Sequence, residues 1–519
     1  MKHLFKIAVL AAAASQSAFA KIEMGAPFSG GAVLQRGMEV PVWGRGATPG
    51  GKVRVAFAGQ EKTAVSGGDG SWKVVLDAME ASKVGRTVSV KDLASGETVE
   101  IDDVLVGEVW FASGQSNMEC PIWGTSARYR DMKGGLMVAM TRLPCVRYVK
   151  VDRKWSVEPC GISAKWNKFT PEGLQIFHRI ETGVGGGTSE GISLSAVAFY
   201  YARELYLALD VPVGIVDASW GGTSIDAWTP RSGYDGCDKS IRAAAEYPVK
   251  KNWNADSDKR YPVTWEFQQP TVLYNGMVAA FAPMAIRGFI WYQGCSNWNE
   301  SGLYCAKLHA LYNGWRREFC NPGLKMYLVQ LAPYSHNWLE ICMAQTKFCA
   351  EEKNAALAVA ADAGNFRDIH PNDKEIVAKR LAVHALKRDY GFEIPEDDSP
   401  VVKSVSFADG AARVVFDNVK EWYVYSPDRA VDPAFELAGT DGKWHPAKIR
   451  NFRKKTDRKG ETVDSEFIDG PEIVLASEMA PQPVKVRYMG RPRTSGTLYN
   501  EASLPLGPFA AGGGCSMSK

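Results

Sequence analysis

The pattern of hydrophobic and polar positions divides the chain into three parts. In residues 21–105, apolar positions alternate with polar ones in short runs, as at Val53, Val55 and Phe57. Glycine-rich turn sequences, such as the one at 67–70, separate these runs. Short alternating strands between turns are typical of small sandwiches and barrels. The pattern therefore predicts a β-rich domain over 21–105.

Residues 106–395 have a different pattern, in which uninterrupted apolar runs alternate with segments of helical periodicity. Buried apolar strands that alternate with helices imply a mainly parallel sheet covered on both faces. The fold class is therefore predicted to be α/β for this central domain. The runs predict strands at 104–111, 211–216, 286–292, 326–331 and 355–361, and the periodic segments predict helices at 195–209, 303–319 and 373–390.

The short alternation returns in residues 396–510, for example at Val484, Val486 and Tyr488. We therefore predict a second β-rich domain there, and a flexible glycine-rich tail over 511–519. The two β-rich domains would flank the α/β domain, and the amino-terminal one would have a structural or carbohydrate-binding accessory role.

Residues 1–20 have the pattern of a secretory signal. Positive residues precede a short apolar core at 7–14, and Ala18-Phe19-Ala20 forms a small-x-small cleavage pattern. The prediction is a mature chain that begins at Lys21 in a secreted or periplasmic location. The apolar core is too short to cross a bilayer, and no later stretch is long enough, so no membrane span is predicted.

Composition narrows the range of partners. The net charge is only +3 and there is no basic stripe, so the sequence does not indicate nucleic-acid binding. The ten cysteines all follow residue 20, and disulfides are possible in an exported protein, but no pair has zinc-ribbon spacing. The sequence therefore predicts no metal site.

Four residues that could take part in catalysis follow predicted strands or precede a predicted helix. They are Ser116, Gly222, Asn297 and His370. The carboxyl ends of parallel strands meet at one edge of a sheet, where ligands bind. A hydroxyl, a backbone N–H, a side-chain amide and an imidazole are the groups that acyl transfer requires. Each residue alone is more often structural, but together they indicate one site.

This order of residues resembles the block pattern of SGNH hydrolases, and the local sequences are similar to those of the sialate O-acetylesterase family. The resemblance covers almost the whole mature chain. It rests on the segments Val33-Leu34-Gln35-Arg36, Gly114-Gln115-Ser116-Asn117-Met118, Trp220-Gly221-Gly222-Thr223, Trp291-Tyr292-Gln293-Gly294, Asp368-Ile369-His370-Pro371 and Leu498-Tyr499-Asn500.

The resemblance implies a flavodoxin-like SGNH domain with flanking β-rich modules, acting on O-acetylated sugars, typically O-acetyl sialic acid, without metal or cofactor. It makes Ser116 the nucleophile and His370 the general base and then acid. The oxyanion hole would comprise the Ser116 N–H, the Gly222 N–H and the Asn297 amide. Substrate contacts are expected from Gln115, Gln293 and Trp220.

Two positions depart from the family pattern. Many SGNH enzymes have an orienting aspartate three residues before the histidine, and Arg367 stands there in this chain. Asp368 is our first choice for that role, with Asp362 or a backbone carbonyl as alternatives. Cys295 stands where the family more often has glutamate, which could change the hydrogen bonds behind the pocket or the substrate accepted.

Further substrate contacts are less specific. Aromatic rings pack well against sugars, and one or two tryptophans could form a substrate wall. Arg128 or Arg287 could bind a sialate carboxylate. The tryptophans beside the motifs are Trp123, Trp220, Trp228 and Trp298.

Three other functions stay open at this point. The enzyme could act on other acetylated polysaccharides such as xylan. Cys295 and the β-rich regions also allow a non-catalytic carbohydrate-binding protein. A serine peptidase is the weakest alternative, because nothing in the sequence indicates a pocket for peptide side chains. The sequence leaves the oligomeric state open.

Overall fold

The computed structural model describes residues 21–124, 130–176, 178–181, 188–246, 265–424, 434–456 and 462–512. The predicted signal at 1–20 lies outside this described part, as does most of the predicted tail. Within these ranges no helix has the length and apolar character needed to cross a bilayer.

The amino-terminal region is built mostly from antiparallel strands, as the alternation predicts, although Val33–Gln35 pairs in parallel with Leu105–Gly107. One sheet has the order β1-β3-β6, while β4, β5 and β7 form a ribbon that joins the long strand β8. The strands are β1 (Glu23–Met24), β2 (Val33–Gln35), β3 (Val40–Arg45), β4 (Lys52–Phe57), β5 (Gln60–Val65), β6 (Trp72–Leu76), β7 (Ser82–Asp92) and β8 (Thr98–Gly114).

The central sheet has the order β10-β9-β13-β8-β14-β15-β16, and neighbours from β9 to β16 pair in parallel. In chain order, β8, β13, β14, β15 and β16 take the spatial order 2-1-3-4-5, with β9 outside β13. Besides β8, the strands of this sheet are β9 (Leu143–Lys150), β10 (Asn167–Phe169), β13 (Val213–Ser219), β14 (Gly288–Tyr292), β15 (Lys325–Val329) and β16 (Ala355–Ala358). Two further strands, β11 (His178–Glu181) and β12 (Thr188–Ile192), form a separate antiparallel pair.

Helices cover both faces of this sheet. Trp110 and Phe111 are neighbours on β8 and so point to opposite faces. Trp110 packs on Tyr201 of α4, whereas Phe111 packs on Trp315 of α6. The helices are α1 (Ser116–Glu119), α2 (Gly134–Met140), α3 (Pro171–Leu174), α4 (Ala196–Leu209), α5 (Lys239–Glu246), α6 (Ser301–Glu318), α7 (Leu339–Glu351) and α8 (Glu375–Arg388).

The amino-terminal region and the central sheet share β8. The first part of β8 pairs with β7 and β2, and its second part pairs with β13 and β14. The boundary predicted between residues 105 and 106 therefore falls inside a continuous strand. The last residues of β8 lie at the centre of the parallel sheet, where the chain continues directly into the candidate site.

The carboxyl-terminal region is again β-rich and antiparallel. Its three four-stranded sheets have the orders β17-β18-β25-β22, β23-β24-β19-β27 and β21-β20-β26-β28. Gly512 pairs with Lys485, so the predicted tail begins within a strand. The strands are β17 (Val401–Ala408), β18 (Ala411–Asp417), β19 (Glu421–Val424), β20 (Phe435–Ala438), β21 (Trp444–Pro446), β22 (Lys448–Ile449), β23 (Arg453–Thr456), β24 (Thr462–Asp469), β25 (Glu472–Ala476), β26 (Lys485–Tyr488), β27 (Leu498–Tyr499) and β28 (Phe509–Gly512).

Candidate active site

Ser116 lies at the carboxyl end of β8, where the chain turns into α1. Gly114 ends the strand with φ +142°, and a Cβ there would lie 2.3 Å from the Tyr292 carbonyl oxygen of β14. Only glycine permits so close an approach of the two strands. The turn leaves Ser116 partly accessible, although the neighbouring residues Gln115 and Asn117 are buried.

His370 meets Ser116 across 254 residues of sequence. Its Nε2 lies 2.9 Å from the serine Oγ, a hydrogen-bond distance. On the other side of the ring, Nδ1 lies 3.4 Å from Oδ1 of Asp368, and the same oxygen accepts the His370 backbone N–H at 3.0 Å. The imidazole therefore contacts the hydroxyl closely and the carboxylate more loosely.

The surroundings of His370 favour its neutral form. Burial lowers the pKa of His370, and the charge of Lys374 lowers it further, whereas Asp368 acts in the opposite direction. A neutral imidazole has a free lone pair at one nitrogen and can accept a proton. The site therefore holds the histidine in the form that a general base requires.

The other carboxylate considered for the orienting role is engaged elsewhere. Asp362 accepts two hydrogen bonds from Arg380, at 2.7 and 2.8 Å, and one from the Tyr499 hydroxyl at 3.3 Å. The Tyr499 contact joins the central part of the chain to the carboxyl-terminal region. Of the two aspartates, only Asp368 contacts the imidazole in the described structure.

A glycine turn follows β13 and lies against Ser116. A Cβ on Gly221 would lie 3.1 Å from the serine Cβ, and the Gly221 N–H donates to Glu119 at 2.9 Å. Gly222 has φ +72° and is exposed, and a Cβ there would meet no atom within 4 Å. The Gly222 backbone is thus at the accessible side of the turn, whereas the Gly221 N–H is bound to the Glu119 carboxylate.

Glu119 is the residue that holds this turn. It is buried, and Arg153 pairs with both of its carboxylate oxygens at 2.7 and 2.6 Å. The guanidinium also lies 5.4 Å from the Trp220 ring centroid. One buried ion pair therefore fixes the backbone beside the serine.

Asn297 follows β14 and is completely buried. Its Oδ1 accepts the Ile225 N–H at 3.1 Å and Nε2 of Gln293 at 2.8 Å, and its Nδ2 donates to Glu300 at 2.9 Å. An amide nitrogen carries two hydrogens. One Nδ2 hydrogen is used by Glu300, and the oxyanion role of this amide stays a prediction.

Gln115 and Gln293, predicted as substrate contacts, have protein partners in the structure. Gln115 Oε1 accepts the backbone N–H groups of Gly294 and Ser296 at 3.1 and 3.3 Å. Gln293 is completely buried, donates to the Thr223 carbonyl at 3.1 Å, and accepts the Tyr304 hydroxyl at 2.7 Å. Their substrate role stays a prediction, and the observed contacts are those of residues that hold loops in position.

Asn117 and Lys374 connect the serine loop to the histidine loop. Asn117 Nδ2 donates to the Ile369 carbonyl at 3.0 Å, and its Oδ1 accepts from Lys374 Nζ at 2.6 Å. Lys374 is buried, and burial lowers the pKa of its ammonium group. Sequence reasoning missed Lys374, Glu119 and Arg153, because a charged residue in a sequence is usually at the surface.

Aromatic rings form part of the rim. Trp220 is buried and stacks on Phe267, with centroids 4.7 Å apart, so its predicted wall position is largely covered. Trp298 is different, because it is 55% exposed directly after Asn297. The edge of its ring meets His336, with a centroid distance of 5.0 Å.

The two arginines proposed for a sialate carboxylate have different outcomes. Arg128 lies outside the described residues. Arg287 precedes β14 at the opposite edge of the sheet from Ser116, and its guanidinium pairs with Glu108 at 3.2 Å. The suggestion for Arg287 is therefore wrong, because its charge is used at the amino-terminal ends of the strands.

Cys295 is buried in the loop that Gln115 holds. Burial raises the pKa of its thiol to about 12, so the side chain is a neutral thiol at physiological pH. The Cys295 thiol lies close enough to the Lys374 ammonium group for the two to influence each other's pKa. This chain thus has an uncharged group near a buried cation at the position where a carboxylate was expected.

Comparison with known proteins indicates the family of this chain. A family model described as carbohydrate esterase, sialic acid-specific acetylesterase, matches residues 261–385. The sialate O-acetylesterase of Rattus norvegicus is 28% identical over 461 residues, covering 80% of this chain and 82% of the rat protein. The human protein of the same name is 27% identical over 504 residues, covering 91% of this chain and 88% of the human one.

A solved structure gives the same result over the whole length. A carbohydrate acetylesterase from Xanthomonas citri is 30% identical and superimposes with a TM-score of 0.75, covering 95% of this chain and all of that protein. The class is therefore that of the carbohydrate esterases, which are carboxylic ester hydrolases. Within it, this chain belongs to the sialate O-acetylesterase family.

Proposed function

We propose that this chain is an exported SGNH-type serine esterase that removes O-acetyl groups from sialic acid. The observation that carries the proposal is the 2.9 Å contact between Ser116 Oγ and His370 Nε2 at the carboxyl edge of the sheet. The spatial order 2-1-3-4-5 of five strands, which is that of flavodoxin-like sheets, supports the SGNH assignment.

In the proposed reaction, Ser116 Oγ attacks the acetyl carbonyl carbon while His370 Nε2 takes the hydroxyl proton. His370 then gives this proton to the departing sugar oxygen, which leaves an acetyl group on the serine. Water attacks the acyl-enzyme with the same histidine as base, and acetate leaves. Asp368 orients the imidazole during both steps.

The negative charge of the tetrahedral intermediate falls between three donors. They are the Ser116 N–H, the Gly222 N–H and the Nδ2 amide group of Asn297. The turn at Gly221 lies close to Ser116, because a Cβ placed on Gly221 would be 3.1 Å from the serine Cβ. This proximity supports a common site. The loss of one such donor costs about 3 kcal/mol of barrier, or about a hundredfold in rate.

The relatives favour acetylated sialic acid as substrate. The family model and the mammalian proteins carry sialic acid in their names, whereas the Xanthomonas citri enzyme is named only for carbohydrate. Trp298 supplies an exposed aromatic face beside Asn297, which suits packing against a sugar ring. Export is supported by the signal pattern at residues 1–20.

The first test is the Ser116→Ala variant assayed with p-nitrophenyl acetate. We expect turnover to fall to background, because the variant lacks the attacking oxygen. The Ser71→Ala variant is the matched control, since Ser71 lies in an exposed turn of the amino-terminal region and bonds only locally with Asp69. Wild-type turnover by Ser116→Ala would refute the serine mechanism.

The second test separates the possible substrates. Acetate release is measured from O-acetyl sialate and from acetyl xylan with the same enzyme preparation. We expect a higher kcat/KM for O-acetyl sialate. Preference for xylan would move the substrate to plant polysaccharide, and glycan binding without acetate release at any enzyme concentration would identify a non-catalytic binding protein.

A further inference from the structure

A thiol, an imidazole and a carboxylate converge where α6 packs against α7. Cys305 and His309 are four residues apart on α6 and so project from the same side of the helix. Glu351 is the last residue of α7. Its Oε2 lies 3.0 Å from His309 Nε2 and 3.5 Å from Cys305 Sγ, and all three ligand atoms lie within 4.8 Å of one another.

These separations suit a tetrahedral zinc ion. With zinc bonds of about 2.3 Å to sulfur and about 2.0 Å to nitrogen and oxygen, tetrahedral geometry places sulfur and oxygen about 3.5 Å apart. The same geometry places nitrogen and oxygen about 3.3 Å apart. The observed distances of 3.5 and 3.0 Å are within a few tenths of an ångström of these values.

Neighbouring side chains hold two of the three groups in position. The His309 ring packs on the edge of Phe348, with centroids 4.8 Å apart and an interplanar angle of 67°. Lys347 forms an ion pair with the other carboxylate oxygen of Glu351, Oε1, so Oε2 is the oxygen that faces the thiol and imidazole. Such outer contacts are typical of metal sites, where they orient the ligands.

We propose that Cys305, His309 and Glu351 form a zinc site that joins α6 to α7. On binding, the Cys305 thiol loses its proton to solvent and its sulfur bonds to the ion, while the fourth position takes water. The thiolate and the carboxylate together balance the charge of Zn²⁺. Thiolate and imidazole ligands favour zinc over magnesium or calcium, which prefer oxygen. Sequence spacing does not indicate the site, because Glu351 is 42 residues from His309.

Cobalt binding tests the proposal, because a thiolate bound to Co²⁺ gives a sulfur-to-metal charge-transfer band. The full-length protein is stripped with EDTA, kept reduced with a phosphine, and titrated with Co²⁺ and then with Zn²⁺. We expect the band to appear, to be displaced by Zn²⁺, and to be absent in Cys305→Ser. Zinc should raise the Tm of the wild type by a few degrees and leave that of Cys305→Ser unchanged.

The control is Cys320→Ser, which removes an exposed cysteine just after the same helix and should behave as wild type. His309→Asn tests the site independently of the thiol and should lower the Co²⁺ affinity by at least about a hundredfold. Esterase turnover shows that each variant is folded. A wild type without the thiolate band, or a Cys305→Ser or His309→Asn variant that binds Co²⁺ as tightly as wild type, would overturn the proposal.

Discussion

Lys374 is not a proposed reacting group, but its charge has the strongest electrostatic influence on His370, the candidate base. Its ammonium group is buried, contacts Asn117 Oδ1, and lies 5.4 Å from the Tyr292 ring centroid. After burial, its charge is the largest cause that lowers the pKa of His370. A charge at this position therefore tunes the pH range in which the imidazole is neutral.

The first prediction concerns this tuning. Lys374→Gln keeps an N–H donor for Asn117 but removes the charge, so the pKa of His370 rises. Since the reaction needs neutral His370, activity is lost as the pH falls through that pKa. The acidic limb of the kcat/KM profile for p-nitrophenyl acetate is therefore expected to move to higher pH.

Lys133→Gln is the matched control for this change. Lys133 is 41% exposed and paired with Asp373 and Glu375, so solvent screens its charge. Its removal should leave the acidic limb where it is in the wild type. An unshifted limb in Lys374→Gln would show that Lys374 does not carry its charge in the working enzyme.

At the level of elements, the candidate site depends on one buried contact between α1 and the turn after β13. Glu119 ends α1, accepts the Gly221 N–H at 2.9 Å, and is fixed by Arg153. The Gly222 N–H follows in the same turn. The ion pair between Glu119 and Arg153 thus lies next to the turn that carries a proposed oxyanion donor.

The second prediction tests Glu119 as a positioning residue. Glu119→Ala removes the acceptor for Gly221 and leaves Arg153 without its partner, so the turn loosens. We expect kcat for p-nitrophenyl acetate to fall by about ten- to a hundredfold with little change in KM, because small displacements near reacting atoms are costly. Glu119→Gln, which retains an acceptor oxygen, should recover part of the loss.

The assay is made on the alkaline plateau, because Glu119 also raises the pKa of His370. Glu23→Gln serves as control, since Glu23 forms an exposed pair with Arg45. If Glu119→Ala instead raised KM by about ten- to a hundredfold and left kcat unchanged, Glu119 would be assigned to substrate binding.

Hydrophobic periodicity predicted most elements around the site. The expected helix at 195–209 is α4, at Ala196–Leu209, and the expected strand at 286–292 contains β14. It missed β9, because Arg147 and Lys150 lie within that strand and charges usually mark a surface. Lys150 is in fact buried and pairs with Asp217 at 3.0 Å, a partner that local sequence cannot reveal.

The chemistry of the site was predictable to a different degree. Ser116 and His370 could be chosen from their places after predicted strands, and they do meet. The supporting contacts could not be chosen, because each joins distant segments, as Glu119 joins Arg153. Polar groups such as Gln293 are also ambiguous in sequence, since burial decides whether they bind substrate or hold the loops.

At the scale of the molecule, the three parts are packed into one structure. The larger of two hydrophobic clusters in the described residues extends from Val33 through Phe111 to Phe435. The amino-terminal part shares β8 with the central sheet, and the carboxyl-terminal part is fastened by polar contacts such as Tyr499 with Asp362. The β-rich parts therefore contribute to the stability of the sheet that holds the site.

Asp397 lies on the segment that leads from α8 to the carboxyl-terminal region, and its side chain binds this segment to α8. Its buried carboxylate contacts His384 Nδ1 at 3.1 Å, Lys387 Nζ at 2.8 Å and Arg388 Nε at 2.6 Å. Burial alone would raise the pKa of Asp397, but the contacts with His384, Lys387 and Arg388 outweigh it and hold the pKa well below its usual range.

The third prediction follows from this depressed pKa. A carboxylate with a lowered folded-state pKa stabilises the fold fully above its unfolded pKa of about 3.9, and the contribution is lost as the pH falls below that value. Asp397→Asn cannot make the ionic contacts and should lower the free energy of unfolding by about 3 kcal/mol at neutral pH. The difference from wild type should shrink below about pH 4.

Urea unfolding at neutral and acidic pH measures both effects, and Asp398→Asn provides the comparison. Asp398 is the next residue and also pairs with Arg388, at 2.6 Å, but its side chain is 41% exposed. Solvent screening limits such a pair to at most about 1 kcal/mol. Among the described residues, Asp397 is buried and has three basic partners, whereas Asp398 is partly exposed and has one. Equal losses from the two variants would therefore show that the buried Asp397 cluster contributes no more than an exposed ion pair.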